Sequence, residues 1–297
     1  MCSAITRRAA AFIWACVCAT ASSALAADGG VRTIPSGGGI VSVSLCADSY
    51  VLALAGPGRI AALSWQVDDP VSTAPDWARD LPQAWSDAER LFALSPELTV
   101  FGAGEGGRTL RLLDRAGLDG FELAWASDFD GVRDNLRALG AALDRQAQAA
   151  SAVAELDDRL ARLETRSESR AVRPRILYLS ASGGTAGSGT YVDAAISAAG
   201  GINVMAEAGV SGWPASRPET LFGLEPDIVL TSFFEDGYAS TLNRGLRHAA
   251  YRVVVDDTFR ADIPAGDWPC AAPRLIVAAE RIADAIDRWA QDREADE

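Results

Sequence analysis

The chain contains no lysine and only one histidine, His248. One histidine excludes most His-based catalytic triads and His-rich zinc sites. A receptor for a bare transition metal would need several His and carboxylate ligands. His248 follows Arg244 and Arg247 at the end of an expected helix, where a cation is welcome, and reads as a surface residue. All 27 basic residues are therefore arginine, set against 40 acids, for a net charge of −13. A surface this acidic repels nucleic acid and anionic lipid and suits a basic partner surface.

Cysteine is also scarce: five in 297 residues, three of them before residue 19. Those three fall in a segment with Arg7-Arg8, an apolar run from Ala9 to Val17 and Ala24-Leu-Ala26. A charged start, an apolar stretch and a small-residue cleavage site predict a secretory signal over residues 1–26. Trp14 and Val17 are poor neighbours for a lipidated Cys16 or Cys18, so a free exported protein is expected, beginning near Ala27. Loss of that segment removes two Arg and no acids, which moves the charge to −15. Cys46 and Cys270 are the thiols that remain, in an oxidising compartment. No later stretch is long and apolar enough to cross a membrane.

What the sequence does have is a segment that occurs twice, 130 residues apart. Ser86-Asp-Ala-Glu89-Arg-Leu-Phe-Ala-Leu-Ser-Pro96 matches Ser216-Arg-Pro-Glu219-Thr-Leu-Phe-Gly-Leu-Glu-Pro226, and an apolar run follows each. Each copy reads as a short helix capped by Ser, with Glu three places on closing a capping box, stopped by Pro before a strand. Copies this far apart predict two similar α/β lobes rather than a tandem array. Lobes that face one another make a cleft suited to a small ligand.

Strands are expected at Ile40–Leu45, Arg59–Ser64, Phe121–Ala124, Arg175–Ser180 and Arg252–Val255, besides those of the repeats. A long loop is expected from Trp65 to Trp85, and a terminal helix from Pro273 to about Trp289, with Pro in its first turn. Residues 129–168 carry an almost unbroken helical repeat, including Val132, Leu136, Leu139, Val153, Leu156 and Leu163. Either one rod or two packed helices hinged at Gly140 satisfies it. The divisions are then 1–26 (signal), 27–128 (first lobe), 129–171 (connecting helix) and 172–297 (second lobe).

Gly183-Gly-Thr-Ala-Gly-Ser-Gly-Thr190 fails as a phosphate loop, because Thr190 stands where Lys is required and no third fingerprint Gly follows. It reads as a strand-to-helix turn. Asp68-Asp69 and Asp256-Asp257 are sequence neighbours that point apart, so they do not form a facing acid pair. The tryptophans are more informative. Trp65, Trp85, Trp213 and Trp268 sit at element ends, where ligand-contacting residues concentrate. They either clamp a large flat ligand or anchor loops on the core.

Taken in order, Val41-Ser-Val-Ser-Leu45, Gly58-Arg-Ile-Ala-Ala-Leu63, the two repeats, Tyr191-Val-Asp with Gly200-Gly-Ile-Asn203, and Ala272-Pro-Arg-Leu-Ile276 resemble the periplasmic binding proteins of ABC importers for ferric siderophores, haem or vitamin B12. The resemblance spans roughly residues 40–290. It implies two Rossmann-like lobes joined by one long α-helix, with the ligand cleft between them. It implies capture of a metal chelate (ferric siderophore, corrinoid or haem) and delivery to a permease dimer in the inner membrane. No catalysis, no cofactor and a monomer are expected. A chelatase-like enzyme handling a tetrapyrrole, or a sensor without transport, are the alternatives. Carried over by position, Glu89 and Glu219 match permease-docking acids, and Trp65, Trp85, Phe101 and Trp213 match cleft aromatics, with Trp268 a looser match. The same likeness puts Cys46 and Cys270 near the lobe interface. A disulfide is expected there, against two free thiols or a thiolate site with His248.

Overall fold

The computed structural model describes residues 38–215, 221, 223–233, 255, 258–268 and 270–296. The first sheet is built from β1 (Ile40–Ser42), β2 (Ile60–Ser64), β3 (Gln83–Ala84), β4 (Leu98–Phe101) and β5 (Gly120–Glu122). All its pairings are parallel, in the order β3-β2-β1-β4-β5. Helices α1 (Leu45–Leu54), α2 (Asp76–Arg79), α3 (Ala88–Leu94) and α4 (Gly107–Arg115) connect the strands. Every residue of β1, β2 and β4 is buried, as expected of parallel strands covered on both faces.

Two helices follow, α5 (Phe129–Ala142) and α6 (Gln146–Glu168). The helical repeat of 129–168 is thus shared between two packed helices, and the long one that joins the sheets begins at Gln146. The break falls at Asp144, in left-handed backbone with φ 53°, a conformation Asp tolerates better than most residues. Arg145 N–H donates to Gly140 O at 2.7 Å and Asp144 N–H to Ala141 O at 3.2 Å. That pair of bonds closes a helix end. Gly140 is not the hinge. A Cβ there would stand 2.4 Å from the Cβ of Ala149, so the glycine lets α5 and α6 pack closely.

The second sheet comprises β6 (Arg175–Ser180), β7 (Ile202–Asn203), β8 (Ile228–Ser232) and β9 (Phe259–Asp262), parallel in the order β7-β6-β8-β9. Helices α7 (Tyr191–Ala198), α8 (Val204–Glu207) and α9 (Leu275–Asp296) belong to it. The duplication is visible in the backbone. Ser95 and Glu225, at equivalent places before β4 and β8, both take positive φ, 44° and 42°.

One apolar core runs from Ile40 and Leu63 in the first sheet through Leu136 and Leu156 to Ile228 and Ile286 in the second lobe. Arginines fix α6 and the turn after it to α9: from the helix Arg159 to Glu280 and Arg166 to Asp284 and Asp287, and from the turn Arg170 to Asp287. Arg170 also donates to Ala199 O at 2.6 Å and Ala283 O at 3.0 Å.

Several boundaries differ from the sequence expectation. The first strand ends at Ser42, because Ser44 Oγ accepts from Ala47 N–H and starts α1 at Leu45. The long loop after Trp65 contains α2 and the two-residue β3, each too short for a periodic signal. In the first repeat the cap is Asp87, not Ser86. Its carboxylate accepts from Glu89 N–H at 2.9 Å, so no Ser86–Glu89 capping box forms. Arg252–Val254 and the signal segment lie outside the described residues.

Candidate functional site

In parallel α/β sheets the strands' carboxyl ends carry the loops that meet ligands. Here those ends present Cys46 after β1, Trp65 after β2, Trp85 after β3, Glu105 after β4 and Trp125 after β5. The second sheet presents Ser182 after β6 and Phe233 after β8.

A cavity of about 280 Å³ lies among these loops, with Cys46, Glu105, Trp125 and Asn135 on one side and Tyr191, Trp213 and Cys270 on the other. A second, of about 330 Å³, is lined by Tyr178, Ser182, Thr185 and Phe233, and shares Tyr191 and Trp213 with the first. Their size and aromatic lining suit a small-molecule site.

Trp213 is placed by the Gly/Ser/Thr turn after β6. Gly187 N–H donates to Gly212 O at 2.9 Å, Thr185 N–H to Pro214 O at 3.2 Å and Ser188 N–H to Val210 O at 2.9 Å. A Cβ on Gly187 would meet Val210 O at 2.3 Å, so glycine is what allows this loop to close on its neighbour. The turn therefore lines the cleft. Thr190 caps α7 by accepting from Asp193 N–H at 3.2 Å. Tyr191, the first residue of α7, packs its ring at a tilt against Trp213, and burial raises its phenol pKa to about 12.

Polar groups beneath the cleft are tied down. Tyr50 Oη donates to Ala271 O at 2.8 Å, and burial pushes its pKa up. Cys46 and Cys270 are joined as a disulfide with Cα atoms 5.8 Å apart. Asp48 is buried and accepts from Ser64 N–H at 3.0 Å and Ser64 Oγ at 2.5 Å. Burial raises its pKa, hydrogen bonds from Ser42 and Ser64 oppose the rise, and the charge of Glu105 adds to it. Among the described residues no group of three His, Cys, Asp or Glu could hold a metal ion, and no helix is long and apolar enough to cross a membrane.

The aromatic residues singled out in the sequence separate into two sets. Trp65 and Trp85 are exposed just past strand ends, and Trp213 is exposed in the loop after α8, with the Arg90 guanidinium 4.5 Å above the Trp85 ring. Phe101 and Trp268 are not on the cleft surface. Phe101 is the last residue of a central strand and packs among Val43, Leu91 and Leu113. Trp268 folds back under the second sheet, where Nε1 donates to Ser232 Oγ at 2.9 Å and the ring meets Tyr178 edge-on. Both are core residues: Phe101 lies in a strand covered on both faces, and Trp268 packs into the main apolar core. Glu89 is exposed on α3; Glu219 and His248 lie outside the described residues. Trp125, Glu105 and Tyr191 were not among the sequence candidates. The readable signal for Trp125 was its place just past the strand expected at Phe121–Ala124.

Residues 54–241 match the family model described as Periplasmic binding protein. A cobalamin-binding protein of Halobacterium salinarum is 28% identical over 213 residues, which is 68% of this chain. The chain spans 56% of the length of that curated relative. Among solved structures, the periplasmic haem-binding protein RhuT of Roseiflexus sp. RS-1 aligns with a TM-score of 0.66 at 21% identity, over 83% of this chain and 98% of that one. The periplasmic vitamin B12 binding protein BtuF of Vibrio cholerae aligns with a TM-score of 0.62 at 23% identity, over 84% and 97%. A periplasmic haem-binding protein of Pseudomonas aeruginosa gives 0.68 at 22%, over 83% and 91%. At these identities the structural likeness is one of fold.

Proposed function

We propose, for a chain that belongs to the periplasmic binding protein family, that it captures a bulky metal chelate in the cleft and hands it unchanged to an ABC permease dimer in the inner membrane. The ligand class is a ferric siderophore, a corrinoid such as vitamin B12, or haem. The observation that carries this reading is the pair of adjoining cavities at the carboxyl ends of both sheets, walled by Trp125 from one lobe and by Tyr191 and Trp213 from the other. Indole rings offer large flat contacts at little conformational cost. Trp65 and Trp85, exposed along the same edge of the first sheet, extend that surface. A relative described as cobalamin-binding and structural neighbours described as haem- and vitamin B12-binding support the ligand class.

The protein acts in the periplasm, after removal of residues 1–26, as a monomer. Glu89, exposed on α3, and Glu219, its counterpart in the second repeat, dock onto arginines of a two-fold permease dimer. Equivalent positions on two lobes suit a symmetric partner.

Titration with cobalamin, haem and a panel of ferric siderophores, followed by tryptophan fluorescence, tests the reading. Strong quenching by one class, with the ligand recovered intact, is the expected result. Tight binding of a sugar, an amino acid or a bare metal, with no response to any chelate, would overturn it.

A further inference from the structure

Trp125 is 83% exposed, the most of any large apolar side chain among the described residues. A lone exposed apolar residue is ordinary, but the position of this one is not. It lines the same 280 Å³ cavity as Trp213. Its ring rests on Gly104, where a Cβ would stand 3.0 Å from Cζ2 and the backbone φ is +78°. Gly104 N–H donates to Glu122 Oε1 at 2.6 Å, which fixes the loop. Trp213 is backed by Tyr191, with ring centroids 4.8 Å apart. Each lobe thus offers one indole to the cavity with a support behind it.

Glu105 lines this cavity as well and is itself exposed. Its carboxylate folds over Gly102. A Cβ on Gly102 would meet Glu105 Oε2 at 2.6 Å and Ser44 Oγ at 2.7 Å. Ser44 is the N-cap of α1, so the carboxylate lies by the positive end of a helix, where a negative charge is favoured. Because Glu105 is exposed, its charge acts on a ligand through solvent, and that action is screened by salt.

We infer that Trp125 and Glu105 form a selectivity wall: Trp125 stacks on the chelate from the side facing Trp213, and Glu105 sets a negative charge at its edge, so neutral or cationic chelates bind in preference to anionic ones. This rests on the chelate-capture reading above. Like-charge repulsion is a standard means of excluding a wrong partner.

Isothermal titration calorimetry with hydroxocobalamin, haem and a ferric tris-catecholate siderophore tests it. The proteins are wild type, Trp125→Ala, Trp125→Phe and Glu105→Gln, each checked for folding by far-UV circular dichroism. Hydroxocobalamin carries no net negative charge; the other two are anionic. Wild type should bind hydroxocobalamin in preference to both. Trp125→Ala should raise its Kd by about five- to tenfold, and Trp125→Phe should restore most of the loss. Glu105→Gln should shift the preference toward the anionic chelates by about fivefold or more, with the difference shrinking in high salt. Folded variants that match wild type overturn the inference alone, as does a wild-type preference for an anionic chelate. A wild type that binds none of the three overturns the chelate reading and this inference with it.

Discussion

The ring of Tyr191 meets that of Trp213 at 4.8 Å between centroids, tilted by 53°, so a partly buried phenol props a half-exposed indole at the cleft. Trp213→Ala should weaken chelate binding by about tenfold, the worth of a lost stacking face plus its area. Far-UV circular dichroism should be unchanged, because the indole is half exposed. Wild-type affinity in this variant would remove Trp213 from the ligand site.

The Cys46–Cys270 disulfide closes a loop with a sequence separation of 224. Cys46→Ser with Cys270→Ser should lower the unfolding free energy by about 2–5 kcal/mol. Urea denaturation of the oxidised and doubly substituted proteins measures this. Thiol counting in denaturant should find no free cysteine in exported protein; two free thiols would contradict the bridge.

Arg170, two residues past the end of α6, donates to the carbonyls of Ala199 and Ala283 and to Asp287, and its side chain is only 10% exposed. Arg170→Ala leaves those acceptors short of a partner and should cost about 2 kcal/mol, more than truncation of an exposed ion-pair partner. Arg137→Ala, which removes an exposed pair with Asp134, is the control and should leave the urea midpoint almost unmoved.

Asp48 and Asp287 should pull the pH dependence of stability in opposite directions. Burial raises the folded pKa of Asp48, so the folded state takes up its proton before the unfolded chain does. The cost of burying its charge is therefore relieved as pH falls toward about 4. At Asp287 partial burial raises the pKa, but hydrogen bonds and charges of Arg170 and Arg166 outweigh it and leave the value lowered. Its contribution is present above the unfolded value and lost as pH falls through the folded one. Asp48→Asn keeps the geometry and should equal or exceed wild type near neutral pH, then lose that advantage toward about pH 4. A difference in unfolding free energy that stays constant over this window would rule out Asp48 as the titrating group.

Replacing Glu89 and Glu219 together by Arg should abolish ligand uptake by cells while leaving the Kd of the isolated protein unchanged. A fall in ligand affinity instead would assign these residues to helix stability rather than docking.

The two-lobe architecture was legible because it rests on local signals. Pro96 and Pro226, the paired Leu-Phe dipeptides and the apolar runs after them repeat whatever surrounds them, and parallel strands follow in both places. The helix break was not legible. It depends on Asp144 accepting positive φ and on contact between Gly140 and Ala149, which are nine residues apart in sequence. β3 was missed because two residues hold no period, and it forms only because β2 offers it a partner.

From residue types and spacing alone came the α/β class, the duplicated lobes, the tryptophans at element ends and the pair of cysteines beyond residue 26. Those features follow from backbone preference and apolar periodicity, which act over a few residues. Only the tertiary structure decided which aromatics reach the cleft. Phe101, at a strand end, and Trp268, after the turn that follows β9, are enclosed in the core, while Trp65 and Trp125, just past strand ends, stay exposed among the described residues. The same holds for Glu105, whose place in the cavity depends on Gly102 and on the N-terminus of α1, brought beside it by the pairing of β1 with β4. Exposure is a property of the neighbours a side chain meets, and most of those neighbours are far away in the chain.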